Sequence, residues 1–124
     1  MAQRSRGVVL VVDDEADIRD IVAFSLEGEG FEVVQAANGS EALDVLRSQP
    51  AIALLFTDVV MPGPLDGFSL AHEAKKMRPD LRVVYASGYI KNLPWGEHGI
   101  GHGRILSKPF RPIQVLQAVT EALR

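Results

Sequence analysis

Val8-Val-Leu-Val-Val-Asp13-Asp14 is a run of apolar, mostly β-branched residues that ends abruptly in two carboxylates. An apolar run without alternation is the mark of a strand buried on both faces, as in a parallel sheet. Two further segments end in the same manner. Ala53-Leu-Leu-Phe-Thr-Asp58 closes on an acid, and Arg104-Ile-Leu-Ser-Lys108-Pro109 closes on a lysine. If the three are neighbouring parallel strands, Asp13, Asp14, Asp58 and Lys108 converge at one sheet edge, an arrangement suited to a divalent cation and a phosphoryl group.

Outward from these runs, strand-like and helix-like segments alternate five times, which predicts a parallel sheet with helices on both faces. The first strand, Val8 to Val12, leads to a helix from about Ala16 to Glu27, in which Ile18, Ile21, Val22 and Leu26 recur at helical spacing and Gly28 and Gly30 stop the chain. Phe31 to Gln35 is the second strand and Ser40 to Arg47 the second helix, with Leu43 and Leu46 inward. Ala53 to Phe56 is a central third strand. The loop Met61-Pro-Gly-Pro-Leu-Asp66-Gly opens a helix to about Met77, and Arg82 to Ala86 is the fourth strand. From Ser87 to Arg104 the pattern breaks: Gly88, Pro94, Gly96, Gly99, Gly101 and Gly103 each oppose a helix, by roughly 1 kcal/mol for glycine and 3 for proline, so the fourth helix is expected to be short or absent. Arg104 to Leu106 is the fifth strand, and Pro112 to Leu123 the closing helix. The predicted class is α/β, a flavodoxin-like (βα)5 doubly wound sheet in the order 2-1-3-4-5, whose ligand crevice lies beyond the carboxyl ends of the strands.

Composition bounds the partners. At 124 residues with 47% apolar content the chain makes one domain, 1–124, able to bury a core. It has no cysteine, which excludes disulfides and thiolate metal sites. Its apolar runs are too short for a membrane span or signal peptide, so a cytoplasmic protein is expected. A net charge of -3 without a basic cluster argues against direct nucleic-acid binding, so output is expected to pass through another protein. Met1 and the polar lead Ala2 to Arg6 lean toward a natural start.

Mg²⁺ favours a few oxygen ligands plus water, which Asp13, Asp14 and Asp58 can supply. An ionised Asp58 can attack phosphorus to give an acyl phosphate. The Lys108 ammonium, the Ser87 hydroxyl and the cation can each take one phosphoryl oxygen. Taken singly, every feature has a plainer reading: the aspartate pair as a helix N-cap, Asp58 as a turn residue, Ser87-Gly88 and Lys108-Pro109 as surface turns. Their joint placement favours one site, because like charges gathered at an edge repel unless a cation binds.

With these residues in view, the chain resembles a two-component response-regulator receiver domain over nearly its whole length, through Val11-Val-Asp13-Asp14-Glu15, Thr57-Asp58-Val-Val-Met-Pro62, Leu65-Asp66-Gly67, Tyr85-Ala-Ser87-Gly88 and Lys108-Pro109-Phe110. The resemblance implies that Asp58 accepts a phosphoryl group from a histidine kinase or a phosphotransfer protein. It implies that Asp13, Asp14, Asp58 and the backbone carbonyl of Val60 hold Mg²⁺, that Ser87 and Lys108 bind the phosphoryl group, and that a two-state switch follows. Two departures stand out. Where the family carries a Tyr or Phe three residues before the lysine, this chain has Ile105, and a glycine-rich stretch from Gly88 to Gly103 replaces the usual fourth helix. Similar stretches occur in receivers of hybrid sensor kinases and in some stand-alone receivers, so either context is open.

Two other functions fit these residues less well. An aspartyl-phosphate phosphatase of the haloacid-dehalogenase type needs a second aspartate two residues after the nucleophile, and this chain has Val60 there. A binding module independent of phosphorylation would be expected to have lost one of Asp13, Asp14, Asp58 or Lys108, and all are present. His98 and His102 read as solvated loop histidines rather than a metal site, His72 as a surface or satisfied helical residue, and Trp95 as a packing residue or partner contact.

Overall fold

The structure is a computed structural model that describes residues 5–88 and 103–124. Five strands, β1 (Val8–Val12), β2 (Glu32–Ala36), β3 (Ile52–Asp58), β4 (Arg82–Ser87) and β5 (Gly103–Ser107), alternate with α1 (Ala16–Glu27), α2 (Gly39–Ser48), α3 (Gly67–Met77) and α4 (Pro112–Ala122). All the strand pairs are parallel and the sheet order is β2-β1-β3-β4-β5, as the alternating pattern predicts. The expected short or absent helix between the fourth and fifth strands lies outside the described residues, as do Trp95, His98 and His102. Among the described residues no helix is long and apolar enough to cross a membrane.

The sheet separates two apolar layers. Because successive strand residues face opposite sides, Val9 and Val11 of β1 pack with α1 and α4 through Val22, Leu26, Val115 and Val119. Leu10 and Val12 pack with α2 and α3 through Leu46, Leu70 and Ala74. β1 and β3, flanked on both edges and both faces, are almost wholly buried, which is why their sequences show no alternation.

Three sequence readings shift. Phe31 belongs to the turn rather than to β2, because its N–H donates to Leu26 O at 3.1 Å and so closes the end of α1. β3 runs on through Thr57 and Asp58, which pair with Tyr85 and Ala86 of β4, so Asp58 ends a strand rather than occupying a turn. Ile21, read as part of the inward stripe, is 50% exposed. The stripe that meets the sheet runs through Val22 and Leu26, and Ile21 lies about 100° around the helix from Val22, beyond that cover.

Side-chain caps fix where α2 and α3 begin. Asn38 Oδ1 accepts from Glu41 N–H at 2.9 Å, and Asp66 Oδ1 accepts from Ser69 N–H at 2.7 Å. Gly67 is required for a different reason. A Cβ there would lie inside contact distance of the Asp58 carbonyl, while Gly67 N–H donates to Val59 O at 2.8 Å, so the start of α3 sits directly on the backbone of the acidic strand end.

Candidate functional site

Polar residues are costly to bury without partners. Tyr85 aside, the buried polar or charged residues among those described are Asp13, Thr57, Asp58 and Ser87, and all four lie at the carboxyl edge of the sheet. Asp13 and Asp14 follow β1, Asp58 ends β3, Ser87 ends β4, and Lys108 follows β5. Carboxylate oxygens of Asp13, Asp14 and Asp58 lie within 4.8 Å of one another. The structure therefore brings together the residues that the sequence places at strand ends.

Asp13 is pinned at every polar atom. Its N–H donates to Ala36 O (3.3 Å), its carbonyl accepts from Arg19 Nη1 (2.7 Å), Oδ1 accepts from Glu15 N–H (2.9 Å), and Oδ2 accepts from Lys108 Nζ (3.1 Å). The N-cap of α1 is Glu15, so the aspartate pair is not that helix's cap. Asp14 is exposed and forms the solvent side of the cluster.

Asp58 is 7% exposed, with Oδ1 3.3 Å from Lys108 Nζ. Lys108 thus bridges the two buried carboxylates. Its backbone N–H donates to Ser87 O at 3.0 Å, and Phe110 sets its ring edge-on to Phe56 of β3, centroids 6.0 Å apart, so the loop after β5 is fastened to β4 and, beyond it, to β3. Burial pushes the Asp58 carboxyl up to about 6; Lys108 counters this, while Asp13 and Asp14 add to it. Burial opposes the charge on Lys108 as well, yet Asp58 and Asp13 outweigh it and hold its ammonium above the ordinary lysine value.

The cluster is rich in hard oxygen donors and crowded with negative charge, which fits a divalent cation of the Mg²⁺ or Ca²⁺ kind. Val60, two residues past Asp58, is 55% exposed. Ser87 is buried at the end of β4, one register step beyond Ala86, the partner of Asp58. Ile105 is partly buried on the α2 and α3 side, paired with Tyr85 of β4. His72 is exposed on α3, as its sequence reading expects.

Two residues near the site escape the sequence reading. Arg19 holds the Asp13 carbonyl, and Gln35 of β2 accepts from Arg19 Nε at 3.1 Å. One signal was present: Arg19 is the fourth residue of α1, where the helix dipole disfavours a cation, and such local rule-breaking often marks a working residue.

Comparison with known proteins agrees with this geometry. Residues 9–120 match the family described as response regulator receiver domain. The chain is 31% identical over 116 residues to response regulator receiver protein CpdR of Brucella abortus (strain 2308), covering 93% of this chain and 95% of that protein. It is also 35% identical to sensor kinase CckA of the same strain, where it covers 94% of this chain and 12% of that protein. Among solved structures, a response regulator receiver protein from Sinorhizobium medicae WSM419 superposes with a TM-score of 0.84 at 32% identity, covering 94% of each chain. With a sheet in the receiver order, an acidic cluster at its carboxyl edge and a family match spanning most of its length, this chain belongs to the response regulator receiver domain family of two-component systems.

Proposed function

We propose that the chain, residues 1–124 as one receiver domain, accepts a phosphoryl group on Asp58 from a phosphohistidine of a histidine kinase or a phosphotransfer protein. The observation that carries this reading is Asp58 itself: a buried carboxylate at a strand end, grouped with two others and touched by one ammonium. An Asp58 carboxylate oxygen attacks phosphorus; the P–O bond forms as the P–N bond breaks, and its electron pair stays on the donor imidazole nitrogen. Lys108 Nζ, already 3.3 Å from Asp58 Oδ1, neutralises one phosphoryl oxygen, and the Ser87 hydroxyl binds another. Asp13, Asp14, Asp58 and the Val60 carbonyl would hold Mg²⁺, which supplies charge neutralisation for the phosphoryl group.

The domain is a signalling module rather than a classical enzyme. Its phosphorylated form is proposed to act on a protein partner through a change in the surface around β4 and β5. Because the chain matches both a receiver protein along its length and a segment of a sensor kinase, either context suits this chemistry.

The test is incubation with acetyl phosphate or phosphoramidate, with Mg²⁺ or with chelator, followed by intact mass and peptide mapping. A single base-labile, Mg²⁺-dependent phosphoryl adduct on Asp58, lost in Asp58→Asn, is the expected result. An adduct elsewhere, or none with Mg²⁺ bound and the phosphorylated cognate kinase supplied, overturns it.

A further inference from the structure

We propose that Arg19 is a positioning residue for the cation site, acting through the Asp13–Asp14 peptide and not by contact with the cation; this rests on the reading of Asp13, Asp14 and Asp58 as a Mg²⁺ site. A guanidinium beside an acidic cluster would ordinarily be read as a counter-charge. Here it is not one, because the partners of Arg19 are the backbone carbonyl of Asp13 at 2.7 Å and the side-chain carbonyl of Gln35 at 3.1 Å. Gln35 in turn donates from Nε2 to Asp20 Oδ1 at 3.4 Å, so the chain of contacts leads away from the cluster and ties α1 to β2.

The consequence falls on Asp14. The Asp13 carbonyl and the Asp14 N–H share one planar peptide unit, so holding that oxygen holds the plane and with it the Asp14 Cα from which the side chain departs, leaving only rotation about the Asp14 N–Cα bond and the side-chain torsions. Asp14 is exposed, so its side chain is not held by burial. Asp13 keeps three further contacts, to Ala36, Glu15 and Lys108, and stays in place without Arg19. Arg19 also sits in the first turn of α1, where the helix dipole opposes its charge, a placement that a purely local role on the helix leaves unexplained.

The experiment is an amide NMR titration of the ¹⁵N-labelled chain with Mg²⁺, run beside urea unfolding in chelator. Arg19→Ala is expected to weaken Mg²⁺ binding about tenfold, in line with the loss of a group that orients a metal ligand. Arg19→Lys, with a single donor centre able to reach one acceptor, falls between. In an Asp14→Asn background, Arg19→Ala adds no further loss, because the residue it positions is already disabled. Wild-type Mg²⁺ affinity in Arg19→Ala with only the urea midpoint lowered, or a loss that adds in full to that of Asp14→Asn, overturns the inference. Should Arg19→Ala not fold, Arg19→Lys decides: intermediate affinity supports the role, and wild-type affinity overturns it. A wild type that shows no Mg²⁺-dependent shifts instead overturns the reading of the cation site, and this inference with it.

Discussion

Lys108 Nζ lies 3.3 Å from Asp58 Oδ1, joining the loop after β5 to the end of β3 across the intervening strand β4. The same ammonium donates to Asp13 Oδ2 at 3.1 Å, so one cation already stands where three carboxylates would otherwise repel. Lys108→Met therefore separates two roles. Phosphoryl loading from acetyl phosphate should fall on the order of 100-fold, the usual loss for one electrostatic donor to a transferring group. Mg²⁺ affinity should hold or rise, since a competing positive charge is gone. A parallel fall of both, by kinetics and NMR titration, would contradict this division.

The raised Asp58 carboxyl gives a pH dependence of definite sign. In metal-free protein its folded-state value is about 6 against an ordinary 3.8, so ionised Asp58 opposes folding above pH 6 and the penalty is relieved as pH falls through 6 toward 4. Asp58→Asn should accordingly raise urea stability in chelator at pH 7.5 by roughly 1 to 3 kcal/mol, and the gain should vanish near pH 4. An equal gain at both pH values would assign it to something other than charge.

Mg²⁺ acts in the opposite direction to the proton. It favours the ionised carboxylates, so its apparent affinity should rise from pH 5 to pH 7 and level off above the Asp58 value. Bound at tenfold over its Kd, it should stabilise the fold by about 1.4 kcal/mol, as linkage requires. Thermal melts with Mg²⁺ and with chelator check this, and Asp14→Asn should lose most of the shift.

Gly67 packs on the Asp58 carbonyl, and a methyl group there forces the start of α3 away from the acidic strand end. Gly67→Ala is expected to cost at least about 2 kcal/mol, a size typical of backbone overpacking. A cost under half that, measured in urea, would mean that the loop before α3 yields freely.

Tyr85 is fully buried, its ring 5.0 Å from that of Phe68, and its hydroxyl has no hydrogen-bond partner among the described residues. Burial, with Asp66 adding to it, pushes the phenol well above the usual tyrosine value. Removing an unpaired buried hydroxyl relieves a desolvation penalty, so Tyr85→Phe should stabilise the fold by about 1 kcal/mol. A loss of stability would show that the hydroxyl has a partner in solution.

The sequence alone determined the sheet, its order and the cluster of acids and lysine at its carboxyl edge. Apolar runs without alternation require burial on both faces, and the last residue of a parallel strand can only emerge at the edge. Asp13, Asp58 and Lys108 were legible for that reason. Tertiary structure decided what depends on neighbours rather than on local period: that Asp13 is buried and Asp14 exposed, that Asp58 still belongs to the strand, and that Ile21 leaves the core despite its helical spacing. It also decided the contact of Arg19 with the Asp13 carbonyl. Every residue has such a carbonyl, so no pattern of side chains announces which one an arginine will hold; only the packing of α1 against the sheet brings the two within reach.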